Sequence, residues 1–253
     1  MISVCIDMMF PHLDFYNRIN AVRECGINTV EFQKWSNKDT EKIKDSGIGV
    51  SVFELDSSDK RLSKDLSRGI LNQGRTEEFL SAIRESIPVY HRLGASGMTV
   101  FIGENAPYNE ENVYRCITDA LPLLKENDVN ILIEPLNDID TNGYSMPYAA
   151  PIFELLRKIN DPHVKMLYDI YHRYMMGDFS VEAIKSNIEY IGHFHVADAP
   201  GRHEPGTGSI DYVNVLNEIS AMNYSGYVGL KYRSTQPDHK TLDFLSHTNP
   251  LTV

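Results

Sequence analysis

Short runs of β-branched, aromatic and other apolar residues alternate along the chain with longer stretches in which apolar residues recur at helical spacing. This alternation is typical of parallel strand–helix units. The apolar runs predict eight strands, over residues 2–6, 28–32, 49–54, 98–102, 130–134, 164–169, 190–196 and 226–232. The helical spacing predicts helices over 12–25, 39–46, 75–93, 109–127, 147–160, 180–188 and 211–222, with a short one over 238–246. Residues 56–74 are polar and lack a clear period, so they predict a long loop after the third strand.

The number of strand–helix units favours a closed barrel over an open sheet. An open doubly wound sheet more often has roughly five to seven strands and a glycine-rich phosphate turn after the first, and the sequence contains no GxGxxG or Walker pattern. No linker rich in Ser, Gly or Pro divides the chain. The sequence therefore predicts a single α/β domain over residues 1–253, a (β/α)8 TIM barrel with its functional mouth at the carboxyl ends of the strands.

Composition and charge narrow the function classes. The 253 residues are 42% hydrophobic, which suffices for a large core, and their net charge of −11 would repel a nucleic-acid backbone. The three cysteines, Cys5, Cys25 and Cys116, are odd in number and far apart, so they indicate neither a disulfide framework nor a CxxC metal site. The sequence shows no basic leader and no apolar stretch near the ~18 residues of a membrane span. We therefore expect a soluble, unprocessed cytoplasmic chain that binds neither nucleic acid nor membrane, and its oligomeric state is left open.

Side chains with catalytic or ligand chemistry end three consecutive predicted strands. Glu134, Asp169 and His195 each follow an apolar run, and the ends of parallel barrel strands converge on one mouth. Two carboxylates and an imidazole suit Mg²⁺ or Mn²⁺, and a divalent ion on adjacent carbonyl and hydroxyl oxygens would acidify the carbon between them and hold an enediolate. Each carboxylate alone is more often a helix cap or half of a salt bridge, but their order along the barrel favours a functional interpretation.

Two further segments follow the same mouth. His172 comes three residues after Asp169, and the loop 199–208 after the seventh strand contains two prolines and three glycines. Such a restrained backbone is suited to presenting Arg202 to a substrate carboxylate in a bidentate contact, and the alternative is an arginine that faces solvent.

At these residues the sequence resembles the hydroxypyruvate isomerase family, within the xylose-isomerase-like barrels that also include ketose 3-epimerases and metal-dependent apurinic endonucleases. The matching segments lie in the family's order at Arg68-Gly69, Gly74-Arg75, 133–137, 168–172 and 192–208. The resemblance implies a barrel in which a bound divalent metal and two glutamates move a proton between neighbouring carbons. By position, it makes Glu134 the first glutamate and a metal ligand, with Asp169 and His195 as the other ligands. It assigns substrate binding to His172, Arg202, Glu204 and Arg68.

The eighth strand departs from the family at one position. Residues 227–232 match the family segment whose fifth residue is the second catalytic glutamate, and here that residue is Lys231. At 4 Å and an effective dielectric near 20, an ammonium repels a divalent ion by about 8 kcal/mol, so we expect weakened metal affinity. Three outcomes stay open. Lys231 takes the place of the metal against Glu134 and Asp169 and acts in catalysis, its side chain turns outward and leaves a three-ligand metal site, or the protein no longer catalyses a reaction.

The predicted function is that of a hydroxypyruvate-isomerase-type enzyme of carbohydrate metabolism. Its substrate would be a small hydroxy-carbonyl compound, hydroxypyruvate or a short keto-acid or sugar, converted through an enediolate to the aldehyde or a positional keto isomer. One alternative is a catalytically silent or metal-independent sugar-acid-binding homologue, and another is a DNA-repair endonuclease, which the net charge and the short ligand set disfavour. Pocket shape would depend on residues near the strand ends that could equally be packing: Phe10, Phe32, Trp35, Glu54 and Tyr108.

Overall fold

The computed structural model describes residues 1–247, and residues 248–253 of the predicted domain lie outside it. Eight parallel strands pair in chain order and close on themselves, because the first strand also pairs with the eighth. The strands are β1 Ile2–Cys5, β2 Thr29–Phe32, β3 Gly49–Glu54, β4 Gly97–Val100, β5 Ile131–Ile133, β6 Val164–Asp169, β7 Ile191–Val196 and β8 Tyr227–Leu230. The predicted TIM barrel is confirmed.

Helices connect the strands around the outside of the barrel. They are α1 Phe15–Glu24, α2 Thr40–Asp45, α3 Lys60–Leu66, α4 Thr76–Leu93, α5 Glu110–Glu126, α6 Ala149–Ile159, α7 Ile170–Met175, α8 Val181–Asn187 and α9 Tyr212–Ala221. Short 3₁₀ helices cover Ile188–Tyr190 and Asp238–His247, the latter where the sequence predicts a short helix. The apolar faces of the longer helices pack against the barrel in one continuous core.

The prediction of a long loop over residues 56–74 is wrong for Lys60–Leu66, which form a helix. The segment contains α3, which Asp59 caps by accepting a hydrogen bond from the backbone N–H of Leu62. Only Ser63 and Leu66 of this helix are buried, so its seven residues show no apolar stripe that a periodicity could reveal.

The helix α7 was also not expected, because it begins directly at the end of a strand. Asp169 is both the last residue of β6 and the N-cap of α7, where its carboxylate accepts a hydrogen bond from the His172 backbone. No helix among residues 1–247 is long and apolar enough to cross a membrane.

Candidate active site

On three of the strands, the alternation of side chains places apolar residues inside the barrel and carboxyl groups at its mouth. Val52, Leu132 and Leu167 form an apolar cluster of their own, on three different strands. Successive inward-facing residues are two positions apart in a strand, so the next inward positions lie one layer closer to the carboxyl ends. These positions are occupied by carboxyl groups, those of Glu54, Glu134 and Asp169.

Glu134 lies at the centre of this layer and has no exposed surface. The ammonium of Lys231 lies 3.3 and 3.4 Å from its two carboxylate oxygens, and His195 Nδ1 is 3.2 Å from Oε1. Burial alone would raise the pKa of Glu134, but Lys231 and His195 lower it to about 2. The carboxylate in turn holds the pKa of Lys231 above its usual value in spite of burial. The two groups therefore form a buried ion pair.

A second buried carboxylate lies one layer below. Glu31 on β2 accepts a hydrogen bond from His193 Nε2 at 2.9 Å, and its Oε1 is 3.0 Å from His195 Nε2. Burial and Lys231 oppose protonation of His195, but Glu31 and Glu134 outweigh them and raise its pKa to about 10. His195 is thus an imidazolium between two carboxylates. On the other side of Glu31 lies Gly229, where a Cβ would overlap the Glu31 carboxylate.

The guanidinium of Arg202, on the loop after β7, contacts the carboxylate of Asp169. Its Nη2 donates to Asp169 Oδ2 at 2.8 Å, and its Nη1 lies 3.1 Å from His172 Nε2. The backbone N–H of Asn137 donates to the other ring nitrogen of His172, and burial lowers the pKa of His172 to about 3. The ring is therefore neutral near neutral pH, and Arg202 carries the positive charge beside Asp169.

The loop that carries Arg202 is held by one buried carboxylate. Asp198 accepts hydrogen bonds from the backbone N–H groups of Ala199, Gly206, Gly208 and Ile210. A Cβ at Gly208 would overlap the Ala199 carbonyl, so the turn closes only with glycine there. The restrained loop expected from the prolines and glycines is what presents the guanidinium.

A cavity of about 420 Å³ opens above this layer, within the range of small-molecule sites. Among the side chains described by the structure, its wall contains four cations and one carboxyl group, those of Lys34, Arg202, Lys231, Arg233 and Glu54, together with His172. Glu134, Asp169 and His195 do not line it and are at most 3% exposed. The surface open to a ligand is therefore positively charged, although the chain has a net charge of −11.

The comparisons with known proteins agree with this architecture. The model of a family described as a xylose isomerase-like TIM barrel matches residues 19–247. The chain belongs to this family.

Among its relatives, hydroxypyruvate isomerase of Escherichia coli strain K12 is 28% identical over 241 residues, which cover 91% of this chain and 92% of that protein. The 2-oxo-tetronate isomerase of Pectobacterium atrosepticum is 23% identical over 254 residues, with 97% and 95% covered. A crystal structure titled AP endonuclease, family 2, from Brucella melitensis superposes with a TM-score of 0.88 at 22% identity and covers 97% of both chains. At that identity the likeness shows the fold alone. The first two relatives are isomerases by name, one of hydroxypyruvate and the other of 2-oxo-tetronate.

Two groups of buried side chains in this xylose-isomerase-like barrel have the residue types and spacing that could hold a metal ion. They are Glu31 with His193 and His195, and Glu134 with Asp169 and His172, each with ligand atoms within 4.8 Å of one another. In the second group, Lys231 lies against Glu134 and Arg202 against Asp169. Repulsion between a divalent ion and an ammonium at 4 Å is about 8 kcal/mol at an effective dielectric near 20. The second donor group therefore does not fit a divalent ion while Lys231 is charged.

The structure brings six of the eight side chains predicted for the site together and places two elsewhere. Arg68 is paired with Glu104 beside a separate cleft. Glu204 is buried and accepts hydrogen bonds from the backbone and hydroxyl of Thr235. Neither lines the cavity, so a direct contact of either one with substrate stays a prediction.

Several residues of the site were missed or undervalued in the sequence. Lys34 follows β2, Arg233 follows β8, and both line the cavity, while Glu31 lies under it. None of the three lies in a segment that matches the family. Of the five side chains named for pocket shape, only one is part of the cavity wall, and that is Glu54. The sequence did indicate an inward-facing position for Glu54, because Glu54 follows Val52 by two residues as Glu134 follows Leu132.

Proposed function

We propose that the protein is an isomerase of a small hydroxy-keto acid, with hydroxypyruvate as the leading substrate. The observation that carries this proposal is the charge of the cavity, whose wall contains four cationic side chains and one carboxyl group in a strongly acidic protein. A cavity of this sign attracts small anions and raises their local concentration. Hydroxypyruvate and 2-oxo-tetronate, which appear in the names of the two relatives, are both anions of 2-oxo acids.

Recognition of the substrate carboxylate is assigned to the arginines of the cavity. Arg233 is exposed at the mouth, and the side chain of Arg202 is fixed by Asp169 and lies 5.0 Å above the ring of Tyr171. A planar guanidinium binds a carboxylate through two parallel hydrogen bonds, which orients the substrate as well as attracting it.

Stabilisation of the reacting carbonyl is assigned to Lys231. Its ammonium lines the cavity and is held in place by Glu134 from below, so it can donate a hydrogen bond to a carbonyl oxygen. Negative charge grows on that oxygen when a neighbouring carbon loses its proton, and a fixed cation lowers the energy of the resulting enediolate. In this proposal the ammonium supplies the positive charge that a divalent ion would otherwise supply, and the reaction needs no added metal.

Proton exchange in deuterated water tests the proposal. The purified protein is treated with EDTA and incubated with hydroxypyruvate, and the substrate is followed by ¹H NMR beside a protein-free control. We expect loss of the C3 proton signal together with formation of the aldehyde isomer. Dihydroxyacetone, which has the same hydroxy-ketone but no carboxylate, is the matched substrate and is expected to react far more slowly. The absence of enzyme-dependent exchange on any short hydroxy-keto acid would contradict the proposal.

A sugar-acid-binding protein without activity is the second candidate, favoured by the neutralisation of Glu134 by Lys231. Thermal shifts with hydroxypyruvate report binding, and the exchange assay reports turnover. A shift without exchange in the parent, combined with exchange and Mn²⁺ binding in Lys231→Glu, would support the silent protein over the isomerase.

A further inference from the structure

The carboxyl group of Glu54 differs from every other carboxyl group of the site. It ends β3, is 8% exposed and lines the same cavity as Lys231. Its backbone is fixed by the hydrogen bond from its N–H to the Gln33 carbonyl at 3.0 Å. Within residues 1–247 its side chain makes neither a hydrogen bond nor an ion pair shorter than 4.0 Å. A buried carboxyl group without a partner loses its hydration without compensation, which is unusual unless a ligand completes it.

The charges around Glu54 leave it able to accept and return a proton near neutral pH. Burial raises its pKa to about 7, with Glu134 and Asp7 acting in the same direction and Lys231 and Lys34 opposing them. The remaining charged groups of the cavity wall are the guanidiniums of Arg202 and Arg233, and His172 is neutral. A general base is most effective when its pKa is close to the working pH.

We propose that Glu54 is the group that moves the proton between the two neighbouring carbons of the substrate, with Lys231 in the wall of the same cavity, and that Glu134 acts only by positioning Lys231. This inference rests on the proposed isomerase function. It differs from the role that the sequence predicts for Glu134, whose carboxylate has no exposed surface and lies beneath the ammonium.

Glu54 and Lys231 together account for every proton that moves in the reaction. The Glu54 carboxylate removes a proton from the hydroxymethyl carbon, and the electron pair of that bond forms the carbon–carbon double bond of an enediolate. Lys231 donates a proton to the former carbonyl oxygen, and its amine then takes the proton of the other hydroxyl as that oxygen becomes the aldehyde. Glu54, now a carboxylic acid, returns its proton to the neighbouring carbon. Both side chains end in their starting states.

The pH dependence separates Glu54 from Glu134 as the base. A carboxyl group can act as a base only when it is ionised, so activity is lost as the pH falls through its pKa. With Glu54, kcat/KM for hydroxypyruvate rises with an apparent pKa near 7 and levels off above it. With Glu134, whose pKa is about 2, the same profile is flat from pH 5 to 9. The substrate carboxylate stays ionised over this range and does not contribute.

Substitution supplies the second test. Glu54→Gln is expected to lose exchange and turnover by about 10²- to 10⁴-fold, the usual contribution of a positioned base. Glu54→Asp, which keeps the base but shortens it, should retain part of the activity and the rising limb of the profile. The matched control is Glu189→Gln, an exposed glutamate that precedes β7 at the opposite end of the barrel. Circular dichroism and the thermal shift with hydroxypyruvate verify that Glu54→Gln is folded and binds.

The outcomes are distinct. The assignment of Glu54 is overturned if a folded Glu54→Gln variant keeps the exchange rate of the parent within threefold, or if the pH profile of the parent is flat. Either result leaves the isomerase function standing. Absence of exchange in the parent itself overturns the function and this assignment together. Loss of exchange in Glu54→Gln with retained substrate binding, beside an active Glu189→Gln control, supports it.

Discussion

Replacement of Lys231 by methionine removes the ammonium from Glu134 and keeps most of the apolar stem of the side chain. Both groups are buried, with 0% exposure for Glu134 and 9% for Lys231. Loss of one partner of a buried ion pair typically costs about 3–5 kcal/mol, because a charge is left in a poorly solvated place. His195 still lies 3.2 Å from Glu134 Oε1 and compensates in part, so we expect about 3 kcal/mol. For a chain of this length that corresponds to a decrease of about 6–12 °C in Tm.

The effect has a defined pH window. Glu134 has a lowered pKa, so its contribution to folding is present above its unfolded value of 4.5 and lost as the pH falls towards 2. Lys231 has a raised pKa, so its contribution is present below 10.5 and lost only above that value. The difference in the free energy of unfolding between parent and variant is therefore constant between about pH 5 and 10 and shrinks in acid.

Urea unfolding at pH 7 and pH 3 measures this difference. The matched control is Lys240→Met, which removes an exposed lysine and should change the free energy of unfolding by less than about 0.5 kcal/mol. The double variant Lys231→Met with Glu134→Gln removes both charges and should regain more than half of the loss. An unchanged midpoint in Lys231→Met, or a double variant less stable than the single one, would refute the buried ion pair as the source of stability.

Three other changes follow from the same geometry. Arg233→Gln should raise KM for hydroxypyruvate about tenfold with little effect on kcat, because the lost contact binds the substrate carboxylate equally before and during reaction; steady-state kinetics decide, and an unchanged KM contradicts the role. The EDTA-treated parent should keep full activity and bind less than about one tenth of an equivalent of Mn²⁺ by titration calorimetry, whereas Lys231→Glu should bind it, since about 8 kcal/mol of repulsion becomes attraction. Gly229→Ala should lower the free energy of unfolding by about 1–3 kcal/mol, because the added methyl group meets the Glu31 carboxylate; an equal midpoint in urea would show that the barrel can relax there.

Much of the fold could be predicted because it depends on periodic features. Each of the eight predicted strands overlaps an observed strand, and their order along the chain is their order around the barrel. Parallel strands share a direction, so residues that end them meet at one mouth, as Glu134, Asp169 and His195 do. Two helices were missed. In α3 only Ser63 and Leu66 are buried, so it shows no apolar stripe, and α7 begins directly at the end of β6 without an intervening turn.

The cavity surface could not be predicted by the same means. The motifs identify which residues end strands, but the exposure of each one depends on the side chains packed over it. Lys231 lies over Glu134, so the residue marked most strongly by the sequence is inside the wall, and Glu54, which stands outside any motif, is at its surface. The alternation from Val52 to Glu54 predicts that Glu54 points into the barrel. The sequence does not reveal that its carboxyl group lacks a partner among the described residues, and that lack is what distinguishes it from the other carboxyl groups.

The pairing of charges explains why one carboxyl group differs from the rest. Three carboxylates of the site are each in contact with a cation or an imidazole that neutralises them: Glu31 with His193 and His195, Glu134 with Lys231, and Asp169 with Arg202. These contacts lower the pKa of a carboxylate and make it a weak base. Glu54 has no such contact in the part of the chain that the structure describes, and burial raises its pKa towards neutrality. With Lys231 paired to Glu134, the barrel therefore still has a carboxyl group, Glu54, that can act as a base. The ammonium of Lys231 holds the Glu134 carboxylate beneath it, and the Glu54 carboxyl group in the wall of the same cavity stays free to exchange protons.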